Sequence, residues 1–373
     1  MRFAIMSRLL AYQNSGLNTL LEGLFRGIQQ IESSHEFLLL FEPGQSIPKW
    51  LQEQFRVVTI QPRTQNPISR FGWDHLAVGK ICKKLGVDAL YAPAHVKPIY
   101  TPCPVVVCVL DMIYHLYPQF WNWSDQTYFR FMVSNFTPRA TRIAALSEST
   151  KADLLALTNI SEDIIEVIYP GVPEGFGIIL PEESVTIREK YGLEKPFILF
   201  IGSFHPRKGL RNLLEAFERC AHLLLHELVI LVSTQWEDQD IEQNLDSSKV
   251  SKRIRLLKGI VPRSELPKFL NQADLFVFPS LYEGFGLPVL EALACGCPTI
   301  TTDISSLPEV AGDAAVLIPP DNTQALSDGI VQVLSDKDLR VNLKQLAVRQ
   351  AKIFSWKKTA EQTIQLLEEA AMA

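Results

Sequence analysis

The sequence predicts an α/β protein of two doubly wound parallel-sheet domains joined by a linker and facing across a cleft. Short β-branched or Leu-rich runs alternate with amphipathic stretches along the chain, the pattern of parallel strands joined by crossover helices. A Pro- and Gly-rich stretch, Tyr169-Pro-Gly-Val-Pro-Glu-Gly-Phe-Gly177, interrupts that alternation near the middle, as a linker does. The length, 373 residues, suits two domains of ordinary size.

Each element has its own justification in the apolar pattern. In the first half, apolar runs predict strands at Arg2–Met6, Glu36–Phe41, Val57–Ile60, Ala89–Tyr91, Val105–Leu110, Arg142–Ala145 and Glu166–Ile168. Helical periodicity falls between them at Leu17–Ile31, Asp74–Leu85 and Ser149–Leu157. The stretch from Met112 to Phe136 carries nine aromatic residues. Core packing is the expected role for most of these, with some left for an acceptor-facing or membrane-facing surface. After the linker a second series places strands at Phe197–Ile201, Leu228–Val232, Arg253–Leu257, Leu275–Phe278, Thr299–Thr301 and Val316–Ile318. Helices fit Leu210–Leu224, Ser264–Asn271, Pro288–Ala294, Thr323–Leu334, Asp338–Phe354 and Trp356–Glu369. The expected organisation is a first domain at 1–170, a linker at 171–195, a second domain at 196–354 and a closing helix at 355–373. No internal repeat or low-complexity tract is visible.

Composition removes several function classes. Apolar residues at 47% and charged residues at 21% describe an ordinary globular chain. A net charge of −5 excludes a generally basic surface for nucleic acid. Residues 1–175 are charge-balanced, so the excess of acid lies entirely in the second half. The six cysteines follow no zinc or redox spacing, Cys295-Gly-Cys297 being C-x-C; they read as small core residues of a reduced compartment. Met1–Met6 reads as a strand rather than a leader. The longest apolar stretch, Leu223–Val232, is too short to span a bilayer.

Two loops carry the chemistry. Phe278-Pro-Ser-Leu-Tyr-Glu283-Gly-Phe-Gly-Leu-Pro288-Val-Leu-Glu291 runs from a strand end through a Gly loop into a helix. Such a junction brings backbone N–H groups and a helix N-terminus to an anion, with Glu291 in the first helical turn. Paired carboxylate oxygens suit two vicinal sugar hydroxyls, so a ribose is a sensible partner for Glu291. The eight-residue spacing alone is weak, since Glu166/Glu174, Glu174/Glu182 and Glu361/Glu369 share it; only Glu283/Glu291 spans a strand, a Gly loop and a helix. The second loop, Gly202-Ser-Phe-His-Pro-Arg207-Lys208-Gly209, follows the first strand of the second domain. Arg offers a planar fork and Lys a mobile point charge, a fit for a diphosphate. The P-loop pattern is absent, so ATP hydrolysis gains no support.

These residues resemble the retaining nucleotide-sugar glycosyltransferases of family 4, whose GT-B architecture is two Rossmann-like domains. The likeness extends through Gly259-Ile-Val261-Pro, Ala273-Asp274, Ser306-Leu-Pro-Glu309-Val-Ala-Gly, Ala145-Leu-Ser147-Glu148-Ser and Val167-Ile-Tyr-Pro-Gly171. It is nearest to the mannosyltransferase-like branch of bacterial polysaccharide biosynthesis. The resemblance implies an acceptor-binding first domain and a donor-binding second one, with the closing helix packed back on the first. Arg207 and Lys208 would hold the donor diphosphate, Glu291 its ribose, and Glu283 would face the transferred sugar. Phe285, Gly286 and Leu287 would offer backbone N–H groups, Gly202 would bind the donor from the end of the first strand of its domain, the segment at Val261 would contact the base, and Gly16 would approach the diphosphate.

The chain departs from relatives at two places. Leu110-Asp111 stands where many have His-Asp, with His115 as the nearby histidine and Asp111 and His115 as catalytic candidates beside Glu283. Ser203 stands where many have Arg after the glycine. The expected reaction moves a hexosyl group, mannosyl by branch, from a nucleoside diphosphate sugar to an acceptor hydroxyl with retention. GDP-mannose is the favoured donor and a UDP-sugar the other; the acceptor is a saccharide or lipid-linked saccharide. No D-x-D motif stands where a metal-dependent transferase would need one, so no metal or other cofactor is expected. The competing readings are a nucleotide-sugar epimerase or a phosphorylase on the same fold, and a donor-binding partner whose catalysis has lapsed. The expected location is the cytoplasm, with peripheral contact at the inner membrane face.

Overall fold

The computed structural model describes residues 1–11, 16–64, 66–233 and 249–373. These form two compact units, Met1–Gly171 with Ser355–Ala373, and Val172–Phe354.

The first unit is built on seven parallel strands: β1 (Arg2–Met6), β2 (Glu36–Phe41), β3 (Arg56–Thr59), β4 (Ala89–Ala92), β5 (Val105–Val109), β6 (Arg142–Ala145) and β7 (Ile165–Val167). Their order is β3-β2-β1-β4-β5-β6-β7. The central strands read as unbroken apolar runs because helices cover both faces of a parallel sheet: all five residues of β5 and all four of β4 are buried. The order reverses between β1 and β4, so the carboxyl ends of these strands form the crevice in which ligands of such sheets bind.

The last helix, Trp356–Met372, completes this unit. It packs along the Gly16–Gln29 helix, and the contact depends on missing side chains. A Cβ on Gly27 would lie 2.1 Å from the Trp356 carbonyl oxygen, and one on Gly23 would lie 2.1 Å from the Trp356 indole. A Cβ on Gly171 would lie 2.2 Å from the Trp356 backbone nitrogen. Thr359 donates to the Tyr169 carbonyl at 2.6 Å, and Glu368 takes His35 Nε2 at 2.7 Å.

The second unit carries six parallel strands: β8 (Phe197–Gly202), β9 (Glu227–Val232), β10 (Ile254–Lys258), β11 (Leu275–Phe278), β12 (Thr299–Thr302) and β13 (Ala315–Ile318). They lie in the order β10-β9-β8-β11-β12-β13. Here the reversal falls between β8 and β11, the two strands that precede the Arg207 and Glu283 loops. Ile198, Phe200, Leu213, Phe217, Leu228, Ile230 and Val277 are part of its core.

Three expectations need correction. The Met112–Phe136 stretch forms the helices Ile113–Leu116 and Trp123–Asn135, and none of its nine aromatic side chains is in the buried core. The core positions there are Met112, Ile113, Met132 and Val133; Trp123 and Phe131 are 79% and 56% exposed. The residues read as a linker are structured within the second unit, with helices at Pro181–Ser184 and Thr186–Tyr191. Arg188 fastens the latter by donating to the side chain and carbonyl of Gln272. The helix read from Asp74 begins as a π-helical turn, Trp73–Ala77, before the α-helix Val78–Leu85.

Gly27→Ala should therefore destabilise the first unit by about 1–3 kcal/mol, the usual cost of overpacking, although alanine favours helix at an ordinary position. Urea denaturation followed by tryptophan fluorescence would measure this, and an unchanged or raised midpoint would contradict the packing.

Candidate functional site

The site in the second unit forms where the loops after β8 and β11 meet. Beyond Gly202 the chain turns through Ser203–His205 into a 3-10 turn, Pro206–Lys208. His205 Nδ1 accepts the Arg207 N–H at 3.2 Å, so this nitrogen is unprotonated, and burial lowers the ring's pKa to about 4 with Arg207 and Lys208 adding to the effect. Gly209 follows in the left-handed region at φ +66, and a Cβ there would lie 2.0 Å from the Pro279 carbonyl oxygen. Only glycine lets the two loops touch. The Leu281 N–H then donates to the Arg207 carbonyl at 2.8 Å.

That contact sets three charges together. Glu283 is 8% exposed. Its Oε2 lies 2.7 Å from Arg207 Nη1 and its Oε1 lies 2.7 Å from Lys208 Nζ. Burial alone would raise the Glu283 pKa; the two cations outweigh it and hold the carboxyl at about 2. Ser280 Oγ is 2.7 Å from Glu283 Oε1. The Glu283 backbone is gripped at both ends, its N–H donating to Ser305 Oγ at 3.0 Å and its carbonyl accepting from Ser306 Oγ at 2.9 Å. Lys208 Nζ also lies 5.0 Å over the Phe278 ring. The cluster holds two cations against one anion, so it is locally positive.

Gly286, at φ +103, leads into the helix Leu287–Ala294, with Pro288 in its first turn. The first N–H groups of a helix lack intrahelical acceptors, and Leu287 stands at that position. Glu291 is the fifth residue of the helix, in the second turn rather than the first, because the helix starts one residue earlier than its proline suggests. It is 3% exposed. Its Oε1 accepts from Arg263 Nη2 at 2.5 Å; burial raises its pKa and Arg263 opposes that rise. Arg263 comes from the turn after β10 that contains Val261, and no motif marks it in the sequence. Ser280, Ser305 and Ser306 were missed for the same reason, although Ser306 begins a segment carrying the family resemblance. Phe285 is buried edge-on against Phe354 at 5.5 Å, and Gly202 ends β8 beside the Phe200 ring.

The remaining candidates belong to the first unit. Gly16 is exposed at the start of the helix after β1; residues 12–15 before it lie outside the described residues. Asp111 follows β5 and accepts the Ile113 N–H at 3.1 Å. His115 lies in the one-turn helix Ile113–Leu116, its Nε2 3.4 Å from Ser134 Oγ, and burial lowers its pKa. A second histidine corrects the sequence reading at this point. His95, just beyond β4, is buried at φ 60, where burial lowers its pKa and Asp111 opposes that fall. Its ring meets Tyr114 and Phe129 edge-on at 6.2 and 5.9 Å. The residues Ala94-His95-Val96 after a strand were the available signal. Among the described residues, no three His, Cys, Asp or Glu side chains are grouped to hold a metal ion, and no helix is long and apolar enough to cross a membrane.

Comparison with known proteins bears on the family and the fold. Residues 16–175 match the model of Glycosyltransferase Family 4, and residues 184–350 match that of Glycosyl transferases group 1. The O-antigen chain mannosyltransferase B of Escherichia coli is 34% identical over 225 residues, 60% of this chain and 59% of that protein. The serotype-specific mannosyltransferase WbdA of Escherichia coli is 32% identical over 61% of this chain and 28% of its own length. The chain thus spans less than two thirds of these relatives. The fold matches WaaG, a glycosyltransferase involved in lipopolysaccharide biosynthesis, with a TM-score of 0.75 at 17% identity over 98% of this chain and 99% of the other. Anabaena Alr3699/HepE, solved with UDP and glucose, gives the same TM-score, identity and coverages. The chain belongs to the family 4 glycosyltransferases and has the GT-B fold.

The Glu283 pair gives a pH-dependent prediction. A carboxyl lowered from 4.5 to about 2 contributes stability in full above pH 4.5 and loses it as pH falls towards 2. Glu283→Gln should cost about 3 kcal/mol at pH 7, with the deficit shrinking below pH 4.5. Urea titrations of both proteins at several pH values would show this, and a deficit independent of pH would contradict it.

Proposed function

We propose that this chain is a retaining, metal-independent mannosyltransferase that moves a mannosyl group from GDP-mannose to a hydroxyl of a saccharide or lipid-linked saccharide in polysaccharide biosynthesis. The observation that carries the proposal is the Arg207–Lys208 pair, held on Glu283 at the carboxyl ends of β8 and β11 beside the start of the Leu287–Ala294 helix. Two cations and oriented N–H groups suit the charge that grows on a departing diphosphate. The mannosyltransferase relatives support the sugar, and HepE, crystallised with UDP and glucose, supports a nucleotide donor.

The step balances without a separate base. The acceptor oxygen bonds to the anomeric carbon as its bond to the diphosphate oxygen breaks. The acceptor proton passes to the leaving phosphate on the same face of the sugar, which retains configuration. Glu283, ionised at neutral pH, orders Arg207 and Lys208 and faces the sugar. Glu291 receives the ribose. The backbone N–H groups of Phe285, Gly286 and Leu287 cradle the phosphate or sugar, and Val261 adjoins the base. The first unit binds the acceptor, with Asp111 and His115 contributing at the end of β5. The exposed Trp123 and Phe131, with Arg130 on the same helix, provide peripheral contact with an anionic membrane at the cytoplasmic face.

Lys208→Ala and Glu291→Ala should each weaken GDP binding by about 10-fold or more in calorimetric titration, the usual scale for losing a charge-assisted contact. Unchanged affinities would remove the site assignment. With GDP-mannose and a saccharide acceptor, NMR should show an α-linked product, formed equally well in EDTA; an inverted product or EDTA-sensitive turnover would contradict the mechanism. Wild type should co-sediment with phosphatidylglycerol-containing liposomes, and Trp123→Ser/Phe131→Ser should not; equal sedimentation would dismiss that surface.

A further inference from the structure

Five of the six cysteines are buried, and Cys103 is the exception, being half-buried. It stands between Pro102 and Pro104 in the connection from β4 to β5, where proline restricts the backbone on either side. That connection lies tightly on the helix Val78–Leu85. A Cβ on Gly79 would lie 2.1 Å from the Tyr100 carbonyl oxygen. The Tyr100 N–H donates to the His75 carbonyl at 3.0 Å, and the Leu90 N–H to the Pro104 carbonyl at 2.9 Å. Cys82, in the helical turn after Gly79, is 1% exposed and belongs to the core cluster against which Cys103 packs. The fold thus joins two thiols that no redox spacing links in the sequence. Lys97 is held on the same connection, its Nζ donating to Thr101 Oγ1 at 3.2 Å and to the Pro98 carbonyl at 3.3 Å. Cys82 is the largest influence holding the Cys103 thiol below its ordinary pKa; Lys97 adds to that effect, while burial and Asp88 oppose it. Cys103 and burial together push the Cys82 thiol far up.

We propose that Cys103 and Cys82 form a reversible oxidation site for hydroperoxides, with Cys103 as the attacking thiolate and Cys82 as the resolving thiol. The Cys103 sulfur attacks one oxygen of hydrogen peroxide; the O–O bond breaks, hydroxide leaves, and the sulfur becomes a sulfenic acid as the peroxide is reduced by two electrons. The Cys82 sulfur then bonds to the Cys103 sulfur. The S–O bond breaks, and the Cys82 proton departs with the hydroxyl as water, leaving a disulfide. A dithiol reductant restores both thiols by exchange and becomes a disulfide itself. The environments divide the labour. Attack needs a thiolate that peroxide can reach, and a sulfenic acid condenses with whichever thiol is poised beside it. Cys103 meets the first condition, and Cys82, sealed in the core, meets the second. The other four cysteines are buried, and burial pushes their thiols up, so they stay reduced. The site lies in the first unit and stands independently of the donor-site reading.

Treating the folded full chain with hydrogen peroxide, then counting thiols and mapping peptides by mass spectrometry, tests the proposal. Wild type should lose two of its six thiols, show one disulfide between Cys82 and Cys103, and regain both thiols with dithiothreitol. In Cys82→Ala the Cys103 sulfenic acid should persist and be trapped by dimedone, which should leave peroxide-treated wild type largely unlabelled. Cys103→Ser should keep all of its remaining thiols under the same treatment. Retention of every thiol by wild type would overturn the proposal. So would a disulfide mapped to another pair, sulfinic acid on Cys103 without a disulfide, or a loss of thiols in Cys103→Ser equal to that in wild type. Thermal unfolding within a few degrees of wild type shows that each variant is folded. Should the buried Cys82→Ala change unfold the protein, the wild-type peptide map and Cys103→Ser decide the matter.

Discussion

A carboxylate almost sealed from water survives as an anion only if cations come with it, and that constraint organises the second unit. Glu283 meets it with Arg207 and Lys208, each 2.7 Å away. The rest of the junction keeps those three groups in register. Gly209 removes the atom that would push the β8 loop off the β11 loop. Ser305 and Ser306, beyond β12, take the Glu283 backbone from a third strand end. Thr302 donates to the Ser280 carbonyl. Burial makes each pairing stronger than it would be in water and each loss more costly. The outcome is a small positive centre in the half of the chain that carries all of the net negative charge.

Much of this was legible in the sequence because strand ends that neighbour each other in a parallel sheet bring their following loops together. Once β8 and β11 were read as strands, Arg207, Lys208 and Glu283 had few other places to go. The strands were legible for the same physical reason, both faces of a covered sheet being apolar. Arg263 was hidden because its strand, β10, lies at the far edge of the sheet order, and one arginine in a Pro-containing turn looks like any surface residue. The supporting serines were hidden because a hydroxyl holding a backbone group leaves no pattern in sequence. Short helices such as Pro181–Ser184 escaped because four residues contain hardly one period.

The first unit shows the opposite balance. Its sheet could be read almost strand for strand, yet its polar residues could not be assigned partners. His95 escaped notice as a lone histidine, and its place beside Asp111 depends on a left-handed backbone that histidine seldom adopts. The aromatic stretch misled because composition was taken for burial. On the Trp123–Asn135 helix the inward residues are Met132 and Val133, leaving the larger rings at the margin, where Tyr114 and Phe129 stack at 4.2 Å.

The glycine-lined seat for Trp356 also bears on the order in which the protein can be made. Both walls, Gly23 and Gly27 on one helix and Gly171 at the end of the first long segment, leave the ribosome early. Their occupant is translated only after the whole of Val172–Phe354. At elongation speeds of about 5–20 residues per second, the early segment waits roughly 10–40 s for its last helix. The second unit is contiguous and can close meanwhile, so the domain translated second is the first able to finish. For that interval the nascent first unit holds an open apolar groove, and its final folding step is the docking of a helix rather than the pairing of a strand.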